Sequence, residues 1–220
     1  MAKRTQPTWL HEAQGEATRK QILDAAQVTF FELTYGAATI GGIVARAGVS
    51  RASFYRHFGD KLAVASALID AVMPRLELAW EGISSLEDHS VAVFARWLDE
   101  LIAITQDESQ IIHLIREIEA TERTYSAVIF RTRARQAATI GALAGIVVNP
   151  EASAFESDDA VRAYLLKLRT DDLIYGAACD PGRINLSVAR DIVAEELSAF
   201  ITQAGRSRAQ DKELKTAVKG

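Results

Sequence analysis

Residues 48–58 read GVSRASFYRHF, and the order of residue types within them fixes what the neighbouring chain must do. Gly48 is the kind of residue that closes a helix, and Ser50 the kind that opens the next by accepting a hydrogen bond from a first-turn N–H. Phe54 and Phe58, four apart, anchor one face of the short helix that follows, RASFYRH. Its other face is left to Arg51, Ser53, Arg56 and His57. Just upstream, Thr39 offers an N-cap hydroxyl to a first short helix, IGGIVARA. Two short helices joined by a turn built on Gly48 make a helix-turn-helix. The second helix of such a pair enters the DNA major groove, whose floor carries donors and acceptors and whose walls are phosphates. Its N-terminal end and outer face therefore need basic and hydrogen-bonding groups. Ser50, Arg51, Ser53, Arg56 and His57 suit that role, while Phe54 and Phe58 suit the packed side.

The charge distribution agrees. The 220-residue chain has a net charge of −4, which alone speaks against a polyanionic partner. Residues 1–61, however, hold eight Lys/Arg against five Asp/Glu, a balance of +3, and the rest hold 17 against 24, a balance of −7. A basic head on an acidic body is a partner signal. Hydrophobic residues at 49% and charged residues at 25% are ordinary for a globular protein, and only four prolines among Ala- and Leu-rich runs favour an all-α chain. Cys179 stands alone, so no intrachain disulfide is expected, which fits a reducing compartment. The N-terminus has no apolar stretch of signal-peptide length, and the longest apolar run, Ala137 to Val148, is too short to span a bilayer. A cytoplasmic protein is the expectation.

Helical periodicity organises the remainder. Ile22, Ala25, Ala26, Thr29, Phe30 and Leu33 share one face of a first helix over 17–33, which Gly36 is expected to end. Asp60 or Gly59 opens a long fourth helix with Leu62, Ile69, Met73, Leu76, Trp80 and Ile83 near one stripe, and Pro74 inside it should kink it or mark a joint. Further helices are placed near 88–105, 108–121, 124–147, 158–179 and 187–204, with loops at 149–159 and 180–185. The division expected is a DNA-binding head over 1–61 (core 17–61), a helical body over 62–204 and a flexible tail over 205–220.

The stretch from Thr39 to Lys61, TIGGIVARAGVSRASFYRHFGDK, resembles the DNA-binding head of the tetracycline-repressor (TetR) family of bacterial transcriptional regulators. The Ala-Gly-Val-Ser turn, the Tyr-x-His-Phe ending and the trailing lysine occur in register, and the preceding segment resembles the family's first helix. The likeness covers 17–62; the body is similar only in length and helicity. It implies that Thr39, Tyr55, His57 and Lys61 hold phosphates, while Ser50, Arg51, Ser53 and Arg56 reach bases or nearby backbone. Phosphate contacts position and base contacts specify, and Arg51 is the candidate for a guanine edge. Two departures stand out. Gly41-Gly42 cost helix α-propensity, about 0.5–1 kcal/mol each against alanine, and Ala52 occupies a frequent glycine position. The segment AKRTQPT before the first helix is either a minor-groove arm or a tail.

The resemblance further implies a homodimeric repressor released from a palindromic operator by a small-molecule effector, with no cofactor, metal or membrane partner. Tyr164, Leu165 and Leu168, with Val188, Ile192 and Phe200, are the candidate pairing residues on the last two helices. Trp80, Phe94, Trp97, Leu101, His113 and Phe130 are the candidate effector-binding residues, each with plain core packing as its alternative. His113 and Glu117, four apart, could bind a metal or an anionic effector, though two ligands make a weak metal site. Arg131, Arg133 and Arg135 could neutralise an acidic effector or form a solvated face. Effector binding must favour a head spacing that misfits the operator, with Pro74 and the fourth helix as the expected lever. No nucleotide loop, nucleophile elbow or metal-ligand motif points to an enzyme. The competing readings are an interaction module with a vestigial head, and an activator in place of a repressor.

Overall fold

The computed structural model describes residues 8–152 and 154–217, with side chains over 13–152 and 154–204. Among them the chain is all-α, with no strand. The helices are α1 (Thr8–Leu33), α2 (Ile40–Ala47), α3 (Arg51–His57), α4 (Lys61–Glu81), α5 (Val91–Asp107), α6 (Ser109–Thr121), α7 (Arg123–Leu143), α8 (Asp158–Cys179) and α9 (Leu186–Ala217), with a 3-10 turn at Gly82–Ser85. Two compact units result. One holds the described residues up to Met73 together with Leu114–Thr121; the other holds Pro74–His113 and the described residues from Glu122 onward.

In the first unit, the head, α1 buries Ile22, Ala25, Ala26, Thr29 and Phe30, as its periodicity requires, and α2 and α3 pack on it. Leu33 departs from that face and is 51% exposed. The end of α1 also differs from expectation. Thr34, with φ 74, takes the left-handed conformation, and Gly36 does not. The Ala38 N–H then bonds back to the Thr34 carbonyl at 3.1 Å, closing the turn before Thr39. The head is larger than the 1–61 segment, because the first half of α4 buries Val64, Ala65, Leu68 and Ile69 within this unit. Asp60 opens α4 by accepting the Ala63 N–H at 2.7 Å. Helix α4 continues through Pro74, and the division between the units falls at that residue.

In the second unit, the body, α5, α7, α8 and α9 enclose an apolar core that includes Ile83, Phe94, Leu98, Ile140, Leu173, Ala194 and Leu197. Helix α7 stops at Leu143, short of the expected 147. Gly145 adopts φ 60, and the Ile146 N–H reaches back to the Gly141 carbonyl at 2.7 Å, a left-handed closure that ends the helix. Val148 folds against Gly141, where a Cβ would lie 2.6 Å from its Cγ2. Helix α8 has the expected bounds, its Ser157 hydroxyl accepting the Ala160 N–H. The backbone of α9 stays helical past Gly205, where a flexible tail was expected. The sequence there, rich in Ala, Arg, Lys, Gln and Glu, carries good helix formers and no proline. Residues 2–7 of the proposed N-terminal arm lie outside the described residues.

Candidate nucleic-acid interface

The helix-turn-helix is built by local capping. The Thr39 hydroxyl accepts the Gly42 N–H at 3.1 Å and starts α2. Gly48, with φ 67, closes it: its N–H meets the Ala45 carbonyl and the Val49 N–H meets the Val44 carbonyl, the paired bonds of a Schellman ending. Only a residue without Cβ takes that conformation at no steric cost. Ser50 then accepts the Ser53 N–H at 3.1 Å and starts α3. Phe54 is fully buried and stacks in tilted fashion on Phe58, fixing the inner face of α3. The guanidinium of Arg19 lies 5.0 Å over the Phe58 ring and covers it from the α1 side.

The outer face follows from that anchoring. Ser50, Arg51, Tyr55 and Arg56 are exposed, Ser53 and His57 half-buried, and Thr39 is exposed at the head of α2. Tyr55, 53% exposed, sets its ring edge-on to Phe54 at 5.5 Å. That contact steadies the ring while its hydroxyl stays free of the core. Arg56 donates to the Ser53 hydroxyl at 3.1 Å, a weak tether between neighbours on one helix. Arg51 reaches back over α2, where a Cβ on Gly41 would lie 3.2 Å from its Nη2. A side chain at Gly41 would crowd the guanidinium, which would have to shift by a few tenths of an ångström. Between Leu33 and Gly59 the chain has no Asp or Glu, so the charged side chains that α2 and α3 themselves carry are all basic.

Lys61 has a different setting from the other candidates. Its Nζ donates to the carbonyls of Tyr35 at 2.7 Å and Ala38 at 3.2 Å and lies 4.1 Å over the Tyr35 ring. The lysine thereby ties α4 to the α1–α2 turn that leads into Thr39. The same turn is held from the other side. Glu117 of α6 accepts the Tyr35 N–H at 2.5 Å. Tyr35 is 2% exposed, packed on Phe30, and its peptide is gripped at both ends by side chains of opposite charge. Nothing in the sequence marks Glu117 as part of the head, since its partner lies 82 residues away.

The remaining candidates divide. Trp80, Phe94, Trp97 and Leu101 meet in one buried cluster of the body, the two indoles edge-to-face at 5.1 Å. His113 and Phe130 are not part of it. His113 is exposed on α6, and Phe130 joins Phe155 and Tyr164 in a half-buried aromatic trio. Of the pairing candidates, Leu165, Leu168 and Phe200 line an open groove of about 580 Å³ along α8 and α9. Val188 and Ile192 are exposed on α9, whereas Tyr164 turns to the aromatic trio and away from the groove. Arg133 is largely buried against Asp171 of α8, while Arg131 and Arg135 are exposed. Sequence reasoning missed Lys167, 2% exposed and paired with Asp171. Its position among Leu165, Leu166 and Leu168, with an acid four residues on, is the signal that would have found it. Among the described residues no cluster of three or more His, Cys, Asp or Glu has a metal-binding arrangement, and no helix is long and apolar enough to cross a membrane.

A capped helix pair with a basic, acid-free outer face defines a helix-turn-helix DNA-binding protein of the transcription-regulator class. Residues 22–68 match the family described as "Bacterial regulatory proteins, tetR family". Over 123 residues, half of this chain, it is 34% identical to the HTH-type transcriptional regulator SrpR of Pseudomonas putida, covering 57% of that protein. The chain thus spans little more than half of that relative's length. It is 33% identical to the uncharacterized HTH-type transcriptional regulator TtgW of Pseudomonas putida, covering 91% of that protein. A TetR-like regulator from Rhodococcus sp. RHA1 shares the fold at a TM-score of 0.59 and 17% identity, over 84% of this chain and 96% of its own. The chain belongs to the TetR family of bacterial transcriptional regulators, a family of DNA-binding proteins that are not enzymes.

Proposed function

We propose that the protein is a homodimeric repressor that holds a palindromic operator through α3 and releases it when a small molecule enters the body. The observation that carries this reading is the outer face of α3. Ser50, Arg51, Ser53, Arg56 and His57 present donors and positive charge on a helix short enough to lie in a major groove, and Thr39 and Tyr55 flank it at positions suited to phosphates. Lys61 adds a phosphate contact through its remaining N–H while keeping its hold on the turn.

A helix of seven residues reads few base pairs, so a second copy is needed for a specific site. The open groove of α8 and α9, with Leu165, Leu168 and Phe200 on its floor and Arg162, Arg169 and Asp172 among its lining residues, supports pairing with a second copy through that face. Effector release requires a ligand that favours a head arrangement misfitting the operator. Pro74, at the division between the units, is the proposed lever, and full induction in Pro74→Ala protein would remove it from the mechanism. A cytoplasmic location, where a bacterial operator is accessible, is part of this reading.

Selection of bound duplexes from a random library, repeated across salt concentrations, tests the reading. A palindromic consensus whose affinity falls steeply with salt is expected. Weak binding without a consensus refutes it and leaves an interaction module with a vestigial head.

A further inference from the structure

The interior of the body holds more hydrogen-bond donors than acceptors at one place. Lys167 of α8 is 2% exposed, and its ammonium meets a single carboxylate oxygen, that of Asp171. The other Asp171 oxygen is taken by Nε of Arg133 from α7, at 2.9 Å. The lysine nitrogen lies 4.2 Å over the ring of Trp80, which is 4% exposed. The Trp80 indole N–H has no acceptor at all. Lys167 and Arg133 therefore divide one carboxylate between them, and the indole N–H beside the ammonium is left with none. A buried ammonium and a buried N–H each cost stability unless acceptors meet them. Burial pushes the lysine pKa down against the pull of Asp171, as expected of a cation short of anionic partners.

Next to this donor surplus lies an apolar surface. Phe130 precedes Arg133 by one turn of α7, and Tyr164 precedes Lys167 by one turn of α8. Their rings meet each other at 5.7 Å and meet Phe155 at 6.0 and 5.0 Å, forming the half-buried trio. The trio reaches the surface, whereas Lys167 and Trp80 do not.

We propose that this cluster is the effector site and that the effector is a hydrophobic carboxylic acid, bound as its anion. The carboxylate supplies the missing acceptors to Lys167 and to the Trp80 N–H, and its charge compensates the ammonium. The apolar or aromatic remainder lies toward Phe130, Phe155 and Tyr164. An amine is disfavoured by the two cations, and a neutral alcohol leaves the ammonium uncompensated. The inference rests on the effector-release reading above and names the chemistry of its ligand.

The test uses the full chain without DNA. Sodium benzoate, 2-naphthoate and octanoate are titrated by calorimetry and by the thermal midpoint, with benzamide as the uncharged control. At least one acid is expected to bind saturably and raise the midpoint, and benzamide to bind at least roughly tenfold more weakly than benzoate, a difference of about 1.4 kcal/mol. Lys167→Met, which leaves Asp171 paired with Arg133, is expected to weaken the acid by about tenfold or more. Trp80→Phe, which keeps the ring and removes the N–H, is expected to weaken it by roughly three- to tenfold, and it decides the question should Lys167→Met fail to fold. Failure of all three acids to bind, equal binding of benzamide and benzoate, or undiminished binding by the variants overturns the site; a buried water then meets the donors. An acid that binds as expected but leaves operator affinity unchanged sinks the release reading and leaves the site standing.

Discussion

Glu117→Ala removes the carboxylate that accepts the Tyr35 N–H, and the consequence can be worked out from the turn itself. The bond is short, 2.5 Å, and charge-assisted. Tyr35 is 2% exposed, so the N–H left behind meets little water and keeps most of its desolvation cost. Hydrogen bonds to charged groups are worth about 1.5–3 kcal/mol, and the burial argues for about 2 kcal/mol here. That is roughly a 30-fold increase in the open population of the turn. Trp80 and Trp97 lie in the other compact unit, so their fluorescence does not report on this change. Amide hydrogen exchange over residues 34–38 does. The Tyr35 amide is expected to lose about 30-fold in protection in Glu117→Ala. Glu117→Gln, whose amide carbonyl still accepts, should lose roughly half as much free energy. Because Thr39 follows directly on this turn, operator affinity should fall with it in the Ala protein. Equal Tyr35 exchange in wild type and Glu117→Ala would refute the reasoning, and so would a Gln protein as loose as the Ala protein.

Other substitutions separate the head from the body. Arg51→Ala is expected to weaken operator binding by about 1–3 kcal/mol and relax preference at one base pair per half-site, read by repeating the duplex selection. Leu165→Glu puts a charge on the α8–α9 groove at an exposed position; the chain should fold but sediment as a monomer. Gly141→Ala should destabilise the body by about 1–2 kcal/mol in thermal melts, because its Cβ would overlap Val148 by more than the gain in helix propensity returns. A Gly141→Ala protein that melts higher would contradict the packing described. Lys167 has its folded pKa below the unfolded value near 10.4, so the unfolded chain binds more protons in between. Wild-type stability should therefore gain a contribution as pH rises through that window toward 10.4. The same pH series on Lys167→Met should lack this contribution, Asp171 and Arg133 being the charges that face the site.

The residues that the sequence placed well are those whose partners lie within a turn or two. Thr39 and Ser50 cap α2 and α3 through bonds to the third residue on, and Gly48 ends α2 through its own φ, so residue type and spacing suffice. The same local logic slipped where two residues compete for one role. Thr34 takes the left-handed position at the end of α1 although Gly36 is the better candidate by propensity, and the Tyr35 backbone that follows is held by Glu117 and Lys61, contacts that no local rule announces. Helix α7 ends at Leu143 because Gly145 takes the left-handed conformation, a local stop signal passed over in favour of the apolar run that continues to Val148. Tyr164 lies on a helical stripe with Leu165 and Leu168, yet its ring turns to Phe130 and Phe155.

The sequence by itself determined the all-α class, the helix-turn-helix and the identity of its outer face, since these follow from capping, periodicity and charge over short spans. The tertiary structure alone decided which charged groups serve the interior. Glu117 and Lys61 hold one turn from opposite ends, and Lys167 enters the core beneath Trp80. The reason is physical: Lys61 and Glu117 meet backbone groups 26 and 82 residues away, which leave no periodic trace in the sequence, and Lys167, whose acid lies only four residues on, is covered by Trp80 from a distant helix.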